Sequence, residues 1–94
     1  MYKRQIPDEF LANRYSLIAH GVGLADEWPD IAHAVDWQEA GYDGHLEENM
    51  VLCVESYVGV EGGAEGVKLE EQVLLTADGP QILSTFPFED ALLG

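Results

Sequence analysis

Two stretches in the second half of the chain have the residue pattern of long β-strands. Residues 50–58 and 67–77 are rich in Val and Leu and have the length of strands. Residues 59–66 between them contain four glycines and predict a turn region. Asp78-Gly79 is a hairpin signal, after which a third strand is expected over residues 80–85. The second half therefore predicts an antiparallel sheet.

The first half of the chain is less regular. Pro7-Asp8-Glu9 favours a helix start, because proline suits the first helical position and acids favour the helix N-terminus. A short helix is therefore expected near residues 7–14. Residues 15–19 are β-prone and lead into His-Gly-Val-Gly at 20–23. Residues 24–49 predict a long irregular loop, of a length that is usually functional. The predicted fold class is α+β.

Composition and charge narrow the possible partners. The chain has 94 residues and 47% hydrophobic positions, which fits one small folded domain. Its 18 acidic residues against 4 basic ones give a net charge of −14, which repels phosphate backbones and anionic membranes. We therefore expect neither a nucleic acid nor a membrane partner. No apolar run has the length of a membrane span or a signal peptide. The single cysteine indicates a cytoplasmic location.

The predicted hairpin brings two carboxylates together. If the turn is centred between Gly62 and Gly63, the numbers of paired residues sum to 125, and Glu55 lies opposite Glu70 on one face. Directly opposed like charges destabilise a sheet, whereas two carboxylates at one point suit a bound cation. A different turn register would separate them, so the metal interpretation depends on this register.

His20 extends the possible metal site. An imidazole combined with carboxylates is a ligand set for Zn, Mn, Fe or Co. The glycines at 21 and 23 allow the backbone to pass close to such a site. The alternative is that His20 is only a turn residue. On the same predicted face, Lys68 is expected to neutralise Glu70, and Cys53 to be inert packing.

Three motifs in this order resemble a known enzyme family. They are His-Gly-Val-Gly at 20–23, Glu-Asn-Met-Val-Leu-Cys-Val-Glu at 48–55 and Gly-Val-Lys-Leu-Glu-Glu-Gln-Val-Leu-Leu-Thr at 66–76. Over about residues 15–90 the chain is similar to the creatinase/aminopeptidase/prolidase, or pita-bread, metalloenzymes. The resemblance implies the C-terminal half of a pita-bread domain, with a curved antiparallel sheet and one or two helices. Residues 1–94 would then be a partial catalytic domain.

The resemblance also implies a metal centre and its ligands. By position these are His20, Glu55 and Glu70, in a site that holds two divalent ions (Fe, Zn, Mn or Co) in the family. The family's two aspartate ligands come from a hairpin upstream of the His motif, and residues 1–19 hold no counterpart. We therefore expect a chain that is inactive alone and forms a homo-oligomer or associates with a missing N-terminal half.

Two segments are similar to one branch of the family. Peptidase members carry a second His seven residues after the metal-binding one, and here Glu27 takes that place. Asp-Glu-Trp-Pro at 26–29 and Val-Glu-Ser-Tyr at 54–57 look like the branch that contains the metal-dependent dimethylsulfoniopropionate lyase. The expected activity is cleavage of that small, carboxylate-bearing substrate to dimethyl sulfide and acrylate. The alternatives are an Xaa-Pro peptidase and a non-catalytic remnant that pairs with another chain.

The lyase interpretation assigns three further residues. The resemblance places Asp26 as the base that removes the substrate proton, with a turn residue as the alternative. Trp28 and Tyr57 would offer ring faces to the cationic sulfonium group. The alternative for both aromatic residues is a place in the core.

Overall fold

The protein forms one five-stranded antiparallel sheet, which confirms the predicted α+β class. The computed structural model describes residues 7–25 and 27–93. The strands run in the spatial order β2-β1-β3-β4-β5. They are β1 (Leu17–Gly21), β2 (Asp30–Ala32), β3 (Val51–Gly59), β4 (Gly66–Thr76) and β5 (Gly79–Ile82).

The helical elements are short and lie outside the sheet. A 3₁₀ helix covers Asp8–Asn13, where the Pro7 start signal predicts a helix. A second 3₁₀ segment, Ala34–Asp36, leads into α1 (Trp37–Ala40), and α2 (Asp90–Leu93) lies near the C-terminus. Within the part of the chain that the structure describes, no helix has both the length and the apolar character needed to cross a membrane.

The β3–β4 hairpin has the predicted register. Glu55 pairs with Glu70, and every pair along the two strands sums to 125, from Val51 with Leu74 to Gly59 with Gly66. Gly62 in the connecting turn has φ +75°, a conformation that glycine adopts without steric cost. The turn glycines therefore fix which side chains face each other across the hairpin.

Two sequence predictions need correction. Residues 24–49 are not irregular throughout, because β2 lies within them and pairs with β1; the Gly21 N–H donates to the Pro29 carbonyl at 2.8 Å. The last strand ends at Ile82 rather than at residue 85. Hydrogen bonding continues one residue further, since the Leu83 N–H donates to the Gln72 carbonyl at 2.8 Å.

The sheet has two chemically different faces. Because side chains alternate along each strand, the pairing places polar groups on one face, which we call the site face. Its residues on the three central strands include His20, Cys53, Glu55, Tyr57, Lys68, Glu70 and Gln72. The opposite face, the apolar face, carries Ala19, Leu52, Val54, Leu69, Glu71 and Val73 among others.

Candidate metal centre

Two strand registers bring the candidate ligands together. β1 sets His20 directly opposite Cys53 on β3, and β3 sets Glu55 opposite Glu70 on β4. His20 is 8% exposed and Glu55 is 5% exposed, whereas Glu70 is open to solvent. Ionisable side chains are rarely this buried unless they are paired or bind a metal. The structure thus places His20, Glu55 and Glu70 in one region of the site face.

The hydrogen bonds of His20 define its tautomer. One ring nitrogen, Nδ1, lies 2.9 Å from the Gly21 carbonyl oxygen. Since a carbonyl oxygen only accepts, Nδ1 carries a proton and donates it. The other nitrogen, Nε2, faces the Glu55 Oε2 at 2.9 Å. Two lone pairs in such contact repel each other, so without a metal ion a proton lies between Nε2 and Oε2.

The surroundings of His20 favour its positive charge when no metal is bound. The hydrogen bond to the Gly21 carbonyl raises the pKa of His20, burial opposes this, and the negative charge of Glu55 raises it further. The charge of Glu27 acts in the same direction. Glu27 therefore lies near enough to influence the site electrostatically, at the position where family peptidases carry a second His.

Lys68 supplies the positive charge that the two glutamates need. Its Nζ lies 3.4 Å from the Glu55 Oε1 and 3.5 Å from the Glu70 Oε2. Desolvation lowers the pKa of Lys68, but the two carboxylates outweigh it and hold this pKa above its usual value. The ammonium also lies 4.8 Å from the centre of the Tyr15 ring. Lys68 therefore offsets the repulsion between Glu55 and Glu70.

The thiol of Cys53 belongs to the same cluster. Ligand atoms of His20, Cys53 and Glu70 all lie within 4.8 Å of one another. Burial, followed by the neighbouring Glu70 carboxylate, raises the pKa of the Cys53 thiol to about 11. The thiol as a donor, followed by the charge of Lys68, in turn lowers the pKa of Glu70. The cluster therefore combines an imidazole, a thiol and a carboxylate.

The residues present fit a divalent transition-metal ion. The Glu55 Oε1 is buried, and its contact with the Lys68 ammonium at 3.4 Å is not an aligned hydrogen bond, so this oxygen can still accept a ligand. Imidazole nitrogen and carboxylate oxygen ligands suit zinc, iron, manganese and cobalt. The Nδ1–H bond to Gly21 also holds the ring so that Nε2 is the available ligand, as is usual for metal-binding histidines.

Gly21, which follows His20, has no room for a side chain because the backbone of residues 28–29 passes close to it. A Cβ atom at Gly21 would overlap the Trp28 carbonyl and lie 2.7 Å from the Pro29 Cδ. No atom lies within 4 Å of the corresponding position at Gly23. The first glycine of the motif thus lets residues 28–29 pack against the strand that carries His20, and the second has no such role.

The structure describes the two aromatic residues that are predicted to contact substrate. Trp28 is 61% exposed and stacks on Tyr42, with ring centres 5.6 Å apart, so Trp28 does not belong to the core. Tyr57 follows Glu55 on the site face, with its hydroxyl end over Gly66. Asp26 lies outside the described residues.

Sequence reasoning missed the place of Cys53 in the ligand cluster. It did put Cys53 on the site face, but the contact with His20 depends on the β1–β3 register. These strands are about 30 residues apart in the sequence, and no short-range turn signal fixes their pairing.

Comparisons with known proteins identify the family to which the chain belongs. Residues 4–77 match the metallopeptidase family M24, and the chain belongs to this creatinase/aminopeptidase family. The chain is 46% identical over 90 residues to a dimethylsulfoniopropionate lyase, DddP, of Roseovarius nubinhibens. It is 45% identical over 86 residues to the dimethylsulfoniopropionate lyase DddP of Roseobacter denitrificans.

These similarities cover the chain almost completely but its relatives only in part. The alignments include 96% and 92% of this chain and 20% and 19% of the two lyases, respectively. The chain thus spans about a fifth of the length of the curated relatives it matches.

Proposed function

We propose that this chain forms part of a metal-dependent lyase that cleaves dimethylsulfoniopropionate to dimethyl sulfide and acrylate. The observation that carries the proposal is the buried His20–Glu55 pair facing Glu70. The identity of 45–46% to two lyases named for this substrate supports the choice of reaction. The chain contributes part of the centre, and the family's aspartate ligands would complete it.

In this proposal His20, Glu55 and Glu70 hold the divalent ions of a dinuclear centre. When bound, the ions supply positive charge for the substrate carboxylate and for the negative charge that develops beside it. The Gly21 carbonyl orients the His20 ring through Nδ1. The burial of Glu55 keeps water away from one side of the centre, which strengthens its electrostatic interactions.

The reaction is a β-elimination. A base takes a proton from the carbon next to the substrate carboxylate, and the electron pair of that C–H bond becomes the second bond of the alkene. The carbon–sulfur bond breaks, and its electron pair leaves on the sulfur as neutral dimethyl sulfide. We assign the base to Asp26, six residues after His20 in the sequence. A carboxylate near a metal centre is suited to this task when its pKa is matched to it.

The positively charged sulfonium group needs a partner, and we assign Trp28 to this role. Its stacking on Tyr42 orients the ring while leaving much of it exposed. Both rings line a cavity of about 610 Å³ that also includes Asp43. An aromatic face attracts a cation, and a carboxylate adds to that attraction. We assign a similar cation-binding role to Tyr57 on the site face.

An Xaa-Pro peptidase is the second candidate, because the family is one of metallopeptidases. The site disfavours it at Glu27, which stands where peptidase members carry a histidine. Glu27 cannot donate a proton to a substrate when it is ionised, as that histidine can. The two candidates differ in product and are separated by one assay.

The test is a chimera in which residues 1–94 replace the matching segment of the Roseovarius lyase. The chimera is loaded with Fe²⁺, Zn²⁺ or Mn²⁺ and given dimethylsulfoniopropionate, and dimethyl sulfide is measured in the headspace. We expect release that is abolished by a chelator and by Glu55→Gln or Glu70→Gln. Glu71→Gln is the matched control, since Glu71 lies on the apolar face, and it should retain activity.

Two results would contradict the proposal. One is a folded, metal-loaded chimera that releases no dimethyl sulfide. The other is release of proline from an Xaa-Pro dipeptide in the absence of lyase activity, which would favour the peptidase. The chain alone is assayed in parallel, and we expect it to be inactive.

A further inference from the structure

A cavity of about 610 Å³ is walled by two aromatic rings and one carboxylate. Trp28 and Tyr42 stack with ring centres 5.6 Å apart and ring planes 2° from parallel. Among the described residues that line the cavity, Asp43 carries the one carboxylate, and none is Lys or Arg. We call this space the aromatic cavity. Its formal charge comes from Asp43 and is negative.

The pairing of β1 with β3 places the aromatic cavity beside the candidate metal centre. The ladder continues past the end of β1, since the Val22 N–H donates to the Val51 carbonyl at 3.0 Å, and both residues line the cavity. Because side chains alternate along each strand, Val22 and Val51 lie on the site face, one level beyond His20 and Cys53. Successive levels on one face of a strand are about 7 Å apart.

Backbone contacts next to His20 fix the position of Trp28. The Gly21 N–H donates to the Pro29 carbonyl at 2.8 Å, and the Trp28 carbonyl lies so close to Gly21 that no side chain fits there. The side chain of Trp28 is nevertheless exposed. The ring is therefore held near the centre while part of its surface is available to a ligand.

Two aromatic rings and a carboxylate suit a cation that is covered by methyl groups. Aromatic faces attract quaternary ammonium ions through their electron density. A methylated sulfonium or ammonium has no N–H donors, whereas a primary ammonium keeps three donors that aromatic rings leave unpaired. A carboxylate and a methylated cation joined by two carbons measure about 6 Å from end to end. This length matches one level of the site face.

We propose that Asp43 is a specificity-determining residue and that the aromatic cavity selects the methylated cationic end of the substrate. The inference rests on the proposed function and widens the ligand class to short carboxylates that end in a sulfonium or a quaternary ammonium. Trimethylammoniopropionate, with two carbons between its charged groups, should therefore bind in the same place. Its isostere 4,4-dimethylpentanoate, in which a carbon replaces the charged nitrogen, should bind much more weakly.

The first test is binding to the 94-residue chain, which requires no lyase activity. Both tryptophans are replaced by fluorotryptophan, and fluorine NMR follows a titration with each compound. The titration is run at about pH 8, above the usual range in which an imidazole such as that of His45 becomes charged. Trp37 is not among the residues that line the aromatic cavity and serves as an internal reference. We expect a saturable shift of the Trp28 signal with trimethylammoniopropionate only.

A pair of variants separates Asp43 from the general negative charge of the chain. Asp43→Asn should weaken the binding of trimethylammoniopropionate about five-fold, because it removes the carboxylate that faces the cation. Glu48→Gln is the matched control: it removes one charge from the same segment, is exposed and lies outside the lining of the cavity. It should bind like the wild-type chain. Circular dichroism verifies that both variants are folded.

The second test uses the chimera with the Roseovarius lyase. Trimethylammoniopropionate should inhibit the release of dimethyl sulfide competitively. Asp43→Asn should raise KM about five-fold without lowering kcat, because the positive charge on sulfur disappears as the carbon–sulfur bond breaks. A contact with that charge therefore stabilises the bound substrate more than the transition state.

The results distinguish this inference from the proposed function. If the chimera releases no dimethyl sulfide while the chain still binds trimethylammoniopropionate through Asp43, the lyase activity is refuted and the methylated-cation site stands. Equal shifts of the Trp28 signal with both compounds, or equal weakening in Asp43→Asn and Glu48→Gln, would overturn the inference. An active chimera that trimethylammoniopropionate does not inhibit would overturn it as well, with the lyase activity intact.

Discussion

At the scale of single residues, the contact between His20 and Glu55 defines the chemistry of the site. Nδ1 donates to the Gly21 carbonyl, so Nε2 faces the Glu55 Oε2 at 2.9 Å. Without metal a proton lies between the two atoms, and in the proposed centre both residues would hold the ion. In the proposed centre the same two side chains would serve both the metal-free and the metal-bound state.

This contact predicts a change in the titration of His20. The Gly21 hydrogen bond raises the pKa of His20, burial lowers it, and the charges of Glu55 and Glu27 raise it. Glu55→Gln removes the charge and leaves the Gly21 bond in place. In the metal-free chain, we expect the pKa of His20 to fall, as measured by NMR titration of its ring protons. An unchanged pKa in a folded variant would show that Glu55 does not act on the ring.

At the scale of elements, the approach of residues 28–29 to β1 is what positions His20. The pairing of β1 with β2 depends on the absence of a side chain at Gly21, since a Cβ there would overlap the Trp28 carbonyl. The atoms that the Cβ would meet belong to the Trp28 backbone, which cannot rotate away as the end of a flexible side chain can. A substitution must therefore move either β1 or the segment that leads into β2.

Two glycine substitutions test this account. Gly21→Ala should destabilise the chain by at least about 2 kcal/mol, within the range for steric overpacking. Gly23→Ala meets no atom within 4 Å and should change stability by less than about 0.5 kcal/mol. Urea unfolding followed by circular dichroism measures both. Equal effects would mean that the close approach at Gly21 does not hold β1 and β2 together.

Elements that a short sequence pattern defines could be predicted. Elements that form only by pairing with a strand distant in the sequence could not. The glycines around Gly62 defined the β3–β4 turn, so the opposition of Glu55 and Glu70 followed from counting residues. β2 has three residues, too few to show a period, and it exists through its pairing with β1. For the same reason the position of His20 opposite Cys53 could not be predicted from local patterns.

At the scale of the whole molecule, the chain exposes more surface than a compact protein of its size. Its accessible area is 7649 Å², against about 5,400 Å² expected for a folded monomer of this mass. Its radius of gyration is 14.5 Å, against about 12 Å expected. Val54 and Leu69 are exposed on the apolar face. Exposed apolar surface of this kind favours association.

We therefore expect the isolated chain to self-associate through the apolar face. Val54→Lys combined with Leu69→Lys should shift the chain toward monomer in sedimentation velocity, because both substitutions place charge on that face. Val60→Lys is the control, since Val60 is similarly exposed but lies beyond the end of β3. A monomeric wild-type chain, or an equal effect of the control, would contradict this expectation.

The most direct test of the account is the metal content of the chain after dialysis against Zn²⁺, measured by elemental analysis. We compare the wild-type chain with Glu70→Gln and Glu71→Gln, neighbouring carboxylates on opposite faces of β4. The account predicts near-stoichiometric metal in the wild-type chain and in Glu71→Gln, and a marked loss in Glu70→Gln. A wild-type chain without metal, or equal loss in both variants, would contradict a centre formed by His20, Glu55 and Glu70.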